Sequence, residues 1–217
     1  YTGSEVLESY ASGRVTAEGT NLPYAGGVTG YISAGSSVKN CWSAVEVTAA
    51  AASKQALAGG ISGAVARDNS VISKCYALGT VTAHITGGSA ADTGGTLGVP
   101  AAANAGGITG ALYVGSPQVE YCAALNGKVE GVDTGGGELR VYRIAGVVDG
   151  SLEQNIANAG MALIGGEPAA DRGGNAPNGA DAEAKPAQET FTRLGWDFDG
   201  LWIMGSEGYP VLRRTGP

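Results

Sequence analysis

Short runs of alternating apolar and polar residues, broken by glycine, recur along the whole chain. Val45-Glu46-Val47 and Arg14-Val15-Thr16-Ala17 alternate with the two-residue period of half-buried strands. Amphipathic stretches of ten or more residues at period 3.6 do not occur, which rules against a helical solenoid. Only the alanine-rich Ala49 to Ala58 has the composition for a helical turn.

The strand-like runs repeat. Ala25-Gly26-Gly27-Val28-Thr29-Gly30 returns as Ala58-Gly59-Gly60-Ile61-Ser62-Gly63 and as Ala105-Gly106-Gly107-Ile108-Thr109-Gly110. Ala145-Gly146-Val147-Val148-Asp149-Gly150 reads as a degenerate fourth copy. After each copy comes a second block: Val38 to Thr48, Ile72 to Thr82, and Val119 to Leu125, the last with one extra residue near Asn126-Gly127 that suggests a bulge. Three columns follow: Ser9, Cys41, Cys75, Cys122 and Asn155; Val28, Ile61, Ile108 and Val147; Val15, Val47, Val81 and Val129. The last two are apolar throughout, as stacked inward positions must be. Outside them Thr16, Thr48, Thr82 and then Glu130 align, and Arg14 falls beside Glu46 as an exposed ion pair.

Repeats of roughly 20–50 residues point to a solenoid. Built from strands, it is expected to be an all-β, right-handed parallel β-helix of about five coils, with neighbouring strands about 4.8 Å apart. Residues 1–163 carry the coils. Gly87 to Asn104 reads as a loop that lengthens one coil, and 164–189 as a flexible loop poor in apolar residues. Residues 190–217 hold two of the three tryptophans and both phenylalanines, and read as an aromatic lid over the open end of the solenoid. The other reading of that lid is a sugar platform with Trp196, Trp202 and Tyr209 as ligand contacts.

Composition sharpens this picture. Glycine occurs 38 times in 217 residues and charged residues make up only 15%, which suits buried strand and tight turns. The net charge of −7 argues against nucleic acid and anionic lipid as partners. No apolar run is long enough to cross a membrane. The chain opens at Tyr1 with no initiating Met or signal peptide, which reads as a mature fragment of a larger protein. Three cysteines in one column are a ladder of buried thiols, a disulfide, or a metal site. One histidine, His84, and the absence of a C-x-x-C leave metal the weakest of these, and no cofactor is expected.

No catalytic constellation stands out. Asp68, Asp92, Asp133 and Asp149 share no column, and Thr134-Gly135-Gly136-Gly137 lacks the Lys-Ser/Thr of a phosphate loop. Asp197 and Asp199 offer half of a calcium loop at most.

The pairing of a Gly-Gly-aliphatic-x-Gly block with Cys75-Tyr76-Ala77-Leu78-Gly79-Thr80-Val81 resembles the GLUG-motif repeats of bacterial surface proteins. So does the closing Trp202-Ile203 with Gly208-Tyr209-Pro210-Val211-Leu212. The resemblance spans most of residues 5 to 163 and 190 to 213. It implies export, a secreted or cell-surface location, an adhesin-like role and a larger parent chain with other domains. The function expected is therefore a non-catalytic repeat module for adhesion or domain presentation, with glycans or proteins of a host or the environment as partners. A glycan-binding module and a polysaccharide-degrading enzyme are the alternatives.

Overall fold

In the computed structural model, which describes residues 3–87, 101–166 and 171–213, alternation becomes strand. Trp42–Ala51 runs for ten residues and buries Ser43, Val45, Val47, Ala49 and Ala51 while Glu46 stays exposed. The described chain is almost entirely β, with a single short helix at Gln188–Arg193.

Four sheets are built from parallel strands. The first stacks Glu5–Leu7, Ser37–Lys39, Val71–Ser73, Gln118–Glu120 and Ser151–Glu153. The second begins with Tyr10–Gly19 and Trp42–Ala51, and later rungs split in two: Tyr76–Ala77 with Val81–Ile85, Ala123–Ala124 with Lys128–Asp133, Ile156–Asn158 with Ala162–Ile164. The third holds Tyr24–Gly26, Gln55–Gly59, Ala102–Gly106 and Glu138–Tyr142; the fourth holds Thr29–Ser33, Ser62–Ala66, Thr109–Tyr113 and Ala145–Val148. The chain visits the sheets in this order and returns to the first one strand further along. Inward side chains form one continuous core of mostly small and β-branched residues, Val47, Ile61, Ile72, Val81, Ile108, Val119 and Ile144 among them.

Between the first and second sheets the chain turns through a left-handed residue on every circuit: Glu8, Asn40, Lys74, Tyr121 and Gln154, with φ from 48° to 53°. None of the five is glycine, and the residue that follows each enters the cysteine column. Where the third sheet bends into the fourth, the requirement is space. A Cβ on Gly59 would lie 2.5 Å from the Thr109 Cα of the next circuit, and one on Gly106 would lie 2.8 Å from the Ala145 Cα.

That crowding corrects one of the columns. Thr109 pairs with Ala145, and the amide of Ile108 donates to the Ile144 carbonyl. The fourth residue after Val28, Ile61 and Ile108 is thus Ile144, not Val147, and the fourth copy begins at Val141. Its two glycines are Tyr142 and Arg143. Among the described residues no complete further circuit crosses over this corner, only the segment that carries Pro177 and Asn178, and large residues fit where the glycine signature is lost. The valine column holds, since Val15, Val47, Val81 and Val129 are mutually in register, and so does the alignment of Thr16, Thr48, Thr82 and Glu130. Arg14 bonds Glu46 at 2.6 Å across an exposed surface.

Other expectations change. Ala49 to Ala58 forms no helical turn; it ends one strand and begins the next. Residues 101–104 of the expected Gly87–Asn104 loop are buried, most of them in a strand, while 88–100 lie outside the described residues. Within 164–189, read as loop, Ala180–Ala182 extends the second sheet by pairing with Ile156–Asn158. This segment closes the last circuit: Asn155 donates to the Gly174 carbonyl and Ile144 to that of Pro177. Arg143 lies beneath it, buried, its guanidinium donating to Asp181 at 2.7 Å and to the carbonyls of Asn158 and Gly179. The aromatic C-terminal segment does not cover an end of the stack. It lies on the outer side of the second sheet, because an apolar outward column there needs cover.

Candidate functional site

The column is set by register. Tyr10, Trp42, Tyr76, Ala123, Ile156 and Ala180 face one another across successive strands. They alternate with the inward residues Ala11, Ser43, Ala77, Ala124 and Ala157, so they point away from the core. Parallel strands hold their rings in a stack: Tyr10 and Trp42 have centroids 4.9 Å apart and planes 8° apart. Trp42 and Tyr76 stand 5.7 Å apart at the same small angle.

The C-terminal segment covers most of this column. Phe191, Leu194, Trp196, Phe198 and Trp202 form a second apolar cluster with Tyr76, Ala123, Leu125 and Ile156. The Tyr76 hydroxyl donates to the Pro210 carbonyl at 2.6 Å, and the Trp196 indole donates to the Tyr121 carbonyl at 3.0 Å. The strands Trp202–Met204 and Pro210–Leu212 pair antiparallel as a hairpin along the column's edge.

This places the three expected ligand contacts. Trp196 is 3% exposed and Trp202 is fully buried, so neither offers a ring face to a sugar. Their size is spent on covering the sheet. Tyr209 is half-buried, stacks on Tyr76 at 6.3 Å, and lines a cleft of about 360 Å³ with Trp42, Leu78 and Glu207.

A larger cleft, about 880 Å³, opens where the hairpin outruns the column. Tyr10 and Trp42 form one side, Ile203, Val211 and Leu212 the other, and Glu8 and Arg213 supply charge. Tyr10 is 63% exposed, and Trp42 covers one face of its ring. Glu8, at its left-handed turn, lines the cleft with Tyr10. Arg213 is anchored by a bond of 2.7 Å to the Phe198 carbonyl. Such a cleft suits an amphipathic ligand: an apolar face on the ring, hydrogen-bonding groups toward the carboxylate and guanidinium. Sequence reasoning missed Tyr10 and Trp42. The signal was their position, one residue after Ser9 and Cys41, which a strand turns outward whenever the cysteine points inward.

Other candidate chemistry resolves into structure. Cys41, Cys75 and Cys122 are free, buried thiols, stacked in the predicted column. Each sulfur bonds the carbonyl two residues back, at 3.2–3.3 Å. The Cys41 amide donates to the Cys75 sulfur at 3.4 Å, while Cys122 donates to Asn155 Oδ1 at 3.0 Å. Asn155 thus ends the ladder as an amide stand-in for a thiol. Burial pushes the Cys75 thiol well above its ordinary pKa. Asp68 accepts the Ser116 amide of the neighbouring circuit, and Asp133 accepts the amides of Gly135 and Gly136 within its own turn. Asp197 accepts the amides of Asp199 and Gly200 within its own turn, and Asp92 lies outside the described residues. Among the described residues no three His, Cys, Asp or Glu side chains converge as metal ligands. No helix among them is long and apolar enough to cross a membrane.

No protein-family model and no curated protein matches the chain. A solved structure does: the crystal structure of a "putative immunoglobulin A1 protease" from Bacteroides ovatus is similar to it, with a TM-score of 0.72 and 26% identity over 96% of this chain. The chain spans 57% of that structure's length.

Proposed function

We propose that the four parallel sheets are the sides of a right-handed parallel β-helix, and that this β-helix is a non-catalytic repeat module of a secreted or cell-surface bacterial protein, serving adhesion or the presentation of other domains. The observation that carries this reading is the ladder itself. The same columns of valine, cysteine and glycine recur on successive circuits, so most of the chain is given to extending one stack. The GLUG-like blocks coincide with that stack and support a surface setting. The similarity to a longer Bacteroides structure supports a module within a larger protein.

A second reading, glycan recognition, is favoured by the exposed Tyr10 ring in a cleft that Glu8 and Arg213 also line. It moves the sugar platform from the buried Trp196 and Trp202 to the open cleft.

Two assays on the purified chain test these readings. Incubation with immunoglobulin A1 is expected to leave the heavy chain intact; cleavage would overturn the non-catalytic assignment. On a glycan array, saturable binding that Tyr10→Ala abolishes would establish recognition at the cleft, and no binding would leave presentation as the module's role.

A further inference from the structure

The turn of the C-terminal hairpin stands over the outward column at its second and third circuits. Gly205 donates its amide to the Tyr209 carbonyl and Gly208 donates to the Gly205 carbonyl, so the residues between are held in a tight turn. The turn does not close on the sheet. Beneath it lies the cleft of about 360 Å³, with Trp42 and Leu78 on the sheet side and Tyr209 and Val211 on the hairpin side. Each of these four side chains is only half-buried, so the apolar walls are open to solvent.

Charge enters this cleft at one point. Glu207, exposed on the turn, is the one charged residue among those that line it. Among the described residues no ion pair engages Glu207. An apolar slot with a single unpaired carboxylate at its rim matches a ligand that has an aliphatic stem and a cationic end. The same turn already holds such a group on its own account. The Lys185 stem runs past Gly208, where an added Cβ would lie 3.4 Å from the Lys185 Cδ, and the Lys185 ammonium lies 5.4 Å from the centroid of the Tyr209 ring. Lys185 is not among the lining residues, so the slot itself is free for a second alkylammonium. The net charge of −7 favours the approach of a basic partner.

We propose that this cleft is a docking site for a lysine side chain of a basic partner polypeptide. The stem lies against Trp42, Leu78 and Val211, and the ammonium meets the Glu207 carboxylate. This goes beyond the repeat-module reading, which stands whichever way the test falls.

The test uses Nα-acetyl-lysine N-methylamide as the probe and the indole N–H resonances of the isotope-labelled chain as the readout. The Trp42 signal is assigned as the one missing from Trp42→Phe. It is expected to move saturably, with a dissociation constant on the order of 1 mM for a ligand of this size. The signals of the buried Trp196 and Trp202 should stay in place. The norleucine analogue keeps most of the stem and lacks the ammonium, and should bind about fivefold more weakly. E207Q changes an exposed side chain that has no ion pair to lose. It should weaken the lysine probe by the same factor and leave the norleucine probe unchanged. Three results overturn the proposal: no Trp42 shift up to about 10 mM probe, equal affinity for the two probes, which would make the cleft a plain apolar slot, or an E207Q chain that binds the lysine probe as the wild type does.

Discussion

Single residues in this chain are constrained by what stands on the neighbouring rung. Cys75 shows this with chemistry: its sulfur accepts the Cys41 amide and its S–H meets the Ser73 carbonyl. Cys75→Ala removes both and leaves a void, and is expected to cost about 1–3 kcal/mol in a denaturant titration. Because burial raises the Cys75 pKa and all three thiols are enclosed, a thiol-specific chromophoric reagent should find none in the native chain and three after unfolding. Fast reaction in the native state would contradict the buried ladder. Gly59 shows the same constraint with space. Gly59→Ala is expected to destabilise by about 3 kcal/mol or more, since backbone cannot yield as a side-chain tip does. Gly127→Ala, where a Cβ meets nothing within 4 Å, should be close to neutral. Parallel thermal melts of the two variants check this.

Elements differ in how far the sequence disclosed them. The cysteine and valine columns were legible because identical residues recur at positions where stacking admits little else. The fourth copy is hidden in the sequence because Tyr142 and Arg143 replace its glycines, and Gly146 offers a false match four residues on. The left-handed turns at Glu8, Asn40, Lys74, Tyr121 and Gln154 were not legible at all. Their backbone geometry is shared while their side chains have nothing in common. The composition of the aromatic segment says that it hides apolar surface without saying which surface, so the sequence points to an end of the stack where the structure shows the outer side of a sheet. The column it does hide was interrupted by polar and small residues in the sequence and emerges only from register. Tyr76→Phe isolates the attachment: losing the bond to the Pro210 carbonyl should cost about 1 kcal/mol, read as a shift in the denaturation midpoint.

For the molecule as a whole, the last described circuit is closed by the Ala180–Ala182 strand and by Arg143. The guanidinium hydrogen bond from Arg143, burial opposing it and Arg172 adding to it, holds the Asp181 carboxyl below its ordinary pKa. Asp181 thus adds stability that is present above the unfolded carboxylate value of about 3.9 and lost as pH falls through the lower folded value. Asp181→Asn should flatten that part of the pH–stability curve. At neutral pH it should cost only about 1 kcal/mol, because the carboxylate is 47% exposed and screened by solvent. Thermal melts of both proteins from neutral to strongly acid pH check this; equal slopes would remove Arg143–Asp181 from the account of that end.

The pair of glycines at the bend between the third and fourth sheets acts as permission to continue. Wherever it stands, a further strand-built circuit passes overhead; over Tyr142 and Arg143 passes the segment that carries Pro177 and Asn178. A gene encoding such a chain can lengthen its product by tandem duplication of a unit that keeps the glycines, gaining about 4.8 Å of reach with each copy and needing no new surface to be invented. Length in this architecture is therefore an easily inherited variable.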